Sequence, residues 1–246
     1  MIVFGLKSIN MKFLIPSVVL LFLFSCGKES FDNSSQGLIK RKLFFRNIND
    51  TSANSVDEYH YNLVGQLKEI SSKYRTQLFY YNRNNYLEAR LTYNISGENK
   101  IISDSTFFRY ESGQLISEET TYPPNREQYK IIYEYNGSEL FREKHYLDGV
   151  FLSMTAFEYV AGRCRKESVY TDSLGIQLSQ TVEYAYDKNE LSMKTLRLGS
   201  GTLAGTPILV TYYHYDGLGN LLLEYGVQVE GVVNIALEYC YRFEYY

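Results

Sequence analysis

Eight copies of one pattern recur along this chain, each with a tyrosine two residues after another aromatic ring. The pairs are Tyr59/Tyr61, Phe79/Tyr81, Phe108/Tyr110, Tyr133/Tyr135, Phe157/Tyr159, Tyr184/Tyr186, Tyr213/Tyr215 and Phe243/Tyr245, with successive pairs 20 to 30 residues apart. Strand side chains alternate faces with a period of two, so both rings of a pair share one face. Seven of the pairs are followed by a polar or Gly-bearing turn such as "DGLGN" (216–220), built from residues that accept positive φ. Five or six residues past the second ring comes an apolar residue: Leu67, Leu87, Leu115, Leu140, Cys164, Leu191 or Leu221. Three positions further there is usually a charge, as at Arg90, Glu118, Glu143, Glu167, Lys194 and Glu224. Each copy reads as a β-hairpin. The eighth has no turn, since the sequence stops at Tyr246.

Repetition of this kind predicts an all-β fold: a repetitive antiparallel β-hairpin meander forming a curved open sheet of about 15–16 strands, with "LIKRKLFF" (38–45) as an added first strand. Composition agrees. There are 25 Tyr and 14 Phe but no Trp, a mixture suited to strands and turns. One face is expected to be a ladder of rings that forms the core if the sheet curls around it. The residues between the paired rings (His60, Tyr80, Arg109, Glu134, Glu158, Ala185, His214 and Glu244) point the other way. Among them Tyr80, Arg109, Glu134 and Glu158 are the candidate ligand contacts.

The N-terminus is different in kind. Lys12 precedes "FLIPSVVLLFLF" (13–24), an apolar run of 12 residues, long enough for a signal-peptide core and short of the roughly 20 needed to span a bilayer. It ends in Leu23-Phe24-Ser25-Cys26, which resembles the lipobox of bacterial lipoproteins, with an aromatic variant familiar in Bacteroidota. That resemblance implies lipidation of Cys26 and a permanent anchor. The expected organisation is residues 1–25 as lipoprotein signal peptide, 26–37 as lipidated Cys and flexible tether, and 38–246 as the repeat domain. Gly27 follows the cysteine, not the Asp that marks inner-membrane retention in enteric-type lipoproteins, which favours the outer membrane. The sequence leaves open whether the protein faces the periplasm or the exterior.

"YHYDGLGNLLLE" (213–224) resembles the YD repeat of the Rhs and teneurin proteins: Tyr215-Asp216, Gly219 and Leu221 match its Tyr-Asp pair, Gly-bearing turn and Leu. Tyr186-Asp187 with Leu191 match in part, and the other copies more loosely. The resemblance implies a β-sheet wall; the shells of that family need more repeats than eight.

Catalytic and metal signals are sparse. His60, His145 and His214 make no metal-ligand spacing, and His145 has no obvious carboxylate to orient it. Glu118 and Glu119 are adjacent and point to opposite faces. "GSGTLAGTP" (199–207) lacks the ending of a phosphate loop and reads as a hairpin loop. Removing residues 1–25 takes away two Lys and no acid, so the net charge goes from −3 to −5 and nucleic acid is excluded as a partner. Cys164 and Cys240 could pair in an oxidising compartment or serve as small apolar fillers. "DST" (104–106) and "DSL" (172–174) resemble Bacteroidota O-glycosylation acceptors. A membrane-spanning barrel is disfavoured by the charges on the face opposite the rings. The expected function is a lipid-anchored outer-membrane module, non-catalytic and without cofactor or metal, that binds or scaffolds a glycan or protein ligand. The alternative is a glycan-active enzyme with a loop-built site.

Overall fold

The computed structural model describes residues 37–46, 48–201, 204–229 and 239–246. The expected signal peptide, Cys26 and all of the expected tether but Gly37 lie outside the described residues. Sixteen strands follow in chain order: β1 Ile39–Phe45, β2 Ser55–Tyr61, β3 Leu67–Ser71, β4 Arg75–Tyr81, β5 Leu87–Ser96, β6 Asn99–Glu111, β7 Gln114–Tyr122 and β8 Glu127–Asn136. The second half continues with β9 Glu139–Leu147, β10 Val150–Val160, β11 Arg163–Tyr170, β12 Leu178–Asp187, β13 Glu190–Leu198, β14 Pro207–Tyr215, β15 Leu221–Gln228 and β16 Tyr239–Tyr245. Every pair of neighbours is antiparallel and sequential, and β1 pairs with β16. The described residues contain no helix.

The all-β hairpin meander is therefore present, but the expected open sheet is not: the sheet closes into a barrel. The reason lies in the register. Within each hairpin the first ring of the pair faces the position where charges recur: Tyr59↔Ile70, Phe79↔Arg90, Phe108↔Glu118, Tyr133↔Glu143, Phe157↔Glu167, Tyr184↔Lys194 and Tyr213↔Glu224. The eighth such pair is Phe243↔Lys42. The strand β1 thus supplies the returning half that the eighth copy lacks. Ile39 stands opposite Tyr245, as Leu221 stands opposite Tyr215.

Between hairpins the register slips by two residues: Asp57, not Tyr59, faces Lys42, and Gln77, not Phe79, faces Ile70. The same slip occurs at all eight junctions. One circuit therefore shifts the register by sixteen residues across sixteen strands, a ratio of one. Eight-stranded α/β barrels have the same ratio, with strands tilted about 36°.

Rings line the inside, as their burial requires: Phe157, Tyr184 and Phe243 are buried, while the intervening Arg109 and Glu158 are exposed. The tightest apolar cluster joins Leu140, Phe157, Cys164, Val182 and Tyr184. Cys164 sits in it and Cys240 lies buried on the outer wall, and no disulfide joins the two.

Candidate functional site

A bulge decides where the repeated charges point. In β15, Leu221 faces Tyr215 but Leu223 faces His214, so one extra residue sits between them. Leu221 and Glu224 are three apart and yet share the inner face. The same shift recurs in the other hairpins, between Arg109 and Tyr110 for example. Lys42, Ile70, Arg90, Glu118, Glu143, Glu167, Lys194 and Glu224 thus form one belt around the inner wall. Five of these are nearly closed to solvent: Lys42 at 8%, Glu118 at 9%, Glu143 at 7%, Glu167 at 0% and Glu224 at 8%.

Buried carboxylates need donors. Tyr133 Oη donates to Glu118 Oε1 at 2.7 Å and Tyr184 Oη to Glu167 Oε1 at 2.6 Å, each from the first ring of the next hairpin. After Glu143 and Glu224 that ring is Phe157 or Phe243, which has no hydroxyl, and other groups serve. His145 Nε2 lies 3.6 Å from Glu143 Oε2, and Tyr239 Oη lies 3.3 Å from Glu224 Oε1. His145 therefore does have a carboxylate neighbour, against the sequence expectation. Glu143 is two residues before it on the same face, and Tyr129 Oη sits 2.6 Å from its Nδ1. Arg90 donates from Nη2 to Thr106 Oγ1 at 3.1 Å, and Lys42 lies over the Tyr241 ring at 3.7 Å.

Burial shifts two members of this belt, Glu118 and Lys42, and their neighbours Asp57 and Tyr133. It pushes the Glu118 carboxyl above its ordinary value, opposed by the Tyr133 hydrogen bond and by Arg90. It pushes the Lys42 ammonium down, opposed by Glu224 and Asp57. Asp57 is raised by burial, against the pull of Lys42 and Arg75. Tyr133 is raised by burial, then by the negative charges of Glu118 and Glu143.

The second ring of every pair is Tyr, and in three copies its hydroxyl satisfies a backbone carbonyl. Tyr81 donates to Leu67 O at 3.0 Å, Tyr186 to Cys164 O at 3.0 Å and Tyr245 to Leu221 O at 2.8 Å. Each acceptor is the carbonyl next to the bulge in the preceding hairpin. Tyr61 makes a backbone hydrogen bond at Ile39, on the neighbouring strand β1.

The sequence-nominated contacts stand on the outer wall. Tyr80 is 45% exposed. Arg109 pairs with Glu111 at 3.0 Å, Glu134 with Lys144, and Glu158 with Lys166 at 3.2 Å. They occupy β4, β6, β8 and β10, two strands apart at each step, in a row around the wall instead of one pocket. The row belongs to a wider set of outer ion pairs that includes Glu119–Lys130 at 3.9 Å, Glu183–Arg197 at 2.9 Å and Arg41–Glu244 at 2.7 Å. His60 and His214 are also on the outside. Closure leaves them four strands apart, about 19 Å at the usual strand spacing. His214 stacks on Tyr225. Among the described residues no group of three or more His, Cys, Asp or Glu is placed to hold a metal.

No family model matches the chain, and no curated protein does. Among solved structures, a porin-like protein from Bacteroides uniformis has a TM-score of 0.51 at 10% identity, covering 85% of this chain and 98% of that one. A TcdB2-TccC3-TEV structure follows at a TM-score of 0.23 and 12% identity, over 71% of this chain and 12% of that one. A Bacteroides fragilis protein of unknown function has a TM-score of 0.17 at 12% identity, over 66% of this chain and 87% of that one. Only the first is close enough to inform, and what this chain shares with it is the fold, a closed antiparallel β-barrel.

Proposed function

We propose that this chain is a non-enzymatic envelope barrel, held at the outer membrane by a lipidated Cys26, with YD-like repeats as its wall. It binds or scaffolds a glycan or protein ligand, and the outer row of Tyr80, Arg109, Glu134 and Glu158 is its contact surface. The observation that carries this reading is the polarity of the wall. The outside bears mid-strand ion pairs from Glu119–Lys130 round to Glu183–Arg197, and the inside bears the rings. A Lys or Arg facing hydrocarbon at the bilayer midplane costs about 2–4 kcal/mol. Such a wall belongs in water, so the barrel needs an anchor to stay at a membrane.

The alternative enzymatic reading draws on one feature, the Tyr129–His145–Glu143 chain beside Glu118. Its groups lie on the inner wall, away from the outer row.

Expression of residues 27–246 without the leader is the test. The expected product is a monomer in detergent-free buffer with a β-rich circular dichroism spectrum, and the full chain carries acyl mass at Cys26 and floats with membranes. A leader-free chain that requires detergent to stay folded overturns the reading in favour of a membrane-spanning barrel. A glycan array on the soluble chain, compared with Arg109→Ala and Glu158→Ala, assigns the ligand. Glycan cleavage lost in Glu143→Gln would instead establish the enzymatic alternative.

A further inference from the structure

One rim of the barrel carries exposed apolar side chains where polar turns are the rule. Its hairpin turns come in two lengths. Four cross in two residues, at Ser112-Gly113, Gly137-Ser138, Ala161-Gly162 and Lys188-Asn189. Three take longer loops, at 62–66, 82–86 and 216–220, and reach further from the wall. The turns at 216–220 and 62–66 flank the β16–β1 seam, and 82–86 is the next in line.

The tips nearest the seam are apolar. Leu63 is 107% exposed, Val64 75%, Leu218 72% and Tyr246 69%. Arg83 tops the neighbouring turn, and Lys40 lies over the Tyr246 ring at 5.6 Å. The described chain also begins at this rim: Gly37 N donates to Asn220 Oδ1 at 2.8 Å, and Tyr246 N to Leu38 O at 3.0 Å. Cys26, the proposed lipid site, is eleven residues before Gly37.

We infer that this rim arc is a lipid-contact surface: Leu63, Val64 and Leu218 enter the acyl boundary, Tyr246 sits at headgroup level, and Arg83 and Lys40 meet lipid phosphates. The inference rests on the anchoring reading and adds an orientation to it. Apolar side chains beside basic ones are the chemistry of interfacial binding, and Tyr favours the headgroup zone. The anchor at Cys26 already holds the chain at a membrane, so what this contact adds is the barrel's orientation on the surface. The opposite rim also has exposed apolar residues, Leu174 at 80% and Ile176 at 75%, but the chain does not begin there.

Because the protein has no Trp, single reporters can be placed without background. The full-length chain is produced with Leu63→Trp, Leu218→Trp or Leu174→Trp, and each mature lipidated form is reconstituted in phosphatidylethanolamine–phosphatidylglycerol vesicles with brominated acyl chains. Unaltered circular dichroism checks folding. The expected result is at least twofold stronger quenching at positions 63 and 218 than at 174. Equal quenching at all three, or none, in a protein that floats overturns the rim surface and leaves the anchor standing. Blue-shifted but unquenched emission from the Leu63→Trp variant overturns it in favour of a second protein copy on the rim. A chain that does not float overturns the anchoring reading and the rim surface together.

Discussion

Eight tyrosines, and never a phenylalanine, hold the second position of the aromatic pair, whereas the first position takes either. At the second position the hydroxyls of Tyr81, Tyr186 and Tyr245 each satisfy a carbonyl beside the bulge of the hairpin before. Tyr81→Phe or Tyr186→Phe is expected to cost about 1–2 kcal/mol, since a half-buried carbonyl loses its donor. The check is urea denaturation, with Tyr80→Phe on the outer wall close to neutral. Glu118 predicts a pH dependence. Its carboxyl is raised by burial, so the folded state favours the protonated form. The stability this group contributes is full below its unfolded value of about 4.3 and is lost as pH rises through the higher folded value. Glu118→Gln keeps an acceptor for Tyr133 and is expected to be more stable than the parent at pH 7. That advantage should disappear below about pH 4, as read from melting temperatures at the two pH values. The sequence showed these charges at a constant offset from the apolar residue but could not place them. Strict alternation puts residues three apart on opposite faces, and only the bulge returns Leu221 and Glu224 to the same one.

The turns explain why the Tyr-Asp signature is sharp in one copy and loose in others. In the longer turns the first residue is Asn62, Asn82 or Asp216. Its Oδ1 accepts two backbone N–H groups, from Val64 and Gln66, from Asn84 and Tyr86, and from Leu218 and Asn220. The two-residue turns are set by backbone conformation instead. Ser112-Gly113 and Ala161-Gly162 take positive φ at both positions, as a type I′ turn requires, and Glu111 or Val160 can precede them. The spacing from second ring to apolar residue was a direct reading of this difference: six for the longer turns and five for the short ones. Asp216→Ala is therefore expected to cost about 1–2 kcal/mol. Asp187→Ala, in the same Tyr-Asp dipeptide but at a short turn, should stay within about 0.5 kcal/mol. Thermal unfolding of the two variants measures the contrast, and equal losses would show that the dipeptide, not the turn length, sets the energy. The glycosylation-like "DSL" also has a structural reading here, because Asp172 closes its own loop by accepting from Leu174 and Ile176. Its carboxyl is held below the usual range by those amides, with Gln177 the largest contributor.

At the scale of the whole molecule, hairpin content and strand order were legible in the sequence, and closure was not. The strand β1 has no aromatic pair and reads as an addition before the first copy. Its likeness to a returning strand is confined to Ile39 and Lys42, which have the spacing of three seen at Leu221 and Glu224. An open sheet would leave β1 and β16 as bare edges, which are templates for aggregation. A constant slip of two residues over eight junctions instead brings the edges into register. Tyr245, although it stands in the last strand of the chain, consequently lies between two strands, as Tyr135 does. Both rings are half-buried, and truncation of either to Ala should cost about 2–4 kcal/mol, less than a fully buried ring. The sharper experiment moves the seam. Tyr246 N already bonds Leu38 O, the geometry of residues that flank a two-residue turn. Joining Tyr246 to Leu38 through Asn-Gly and opening the chain within the 46–54 loop makes all eight copies continuous hairpins. The new connection spans two residues, so little loop entropy opposes it. This permutant is expected to fold as a monomer with the parent's β-rich spectrum and a melting temperature no lower than the parent's. Deleting residues 37–46 without replacing them should give an aggregating open sheet. If the permutant fails to fold while the deletion stays soluble, β1 is not the second half of the eighth repeat, and the barrel closes for some other reason.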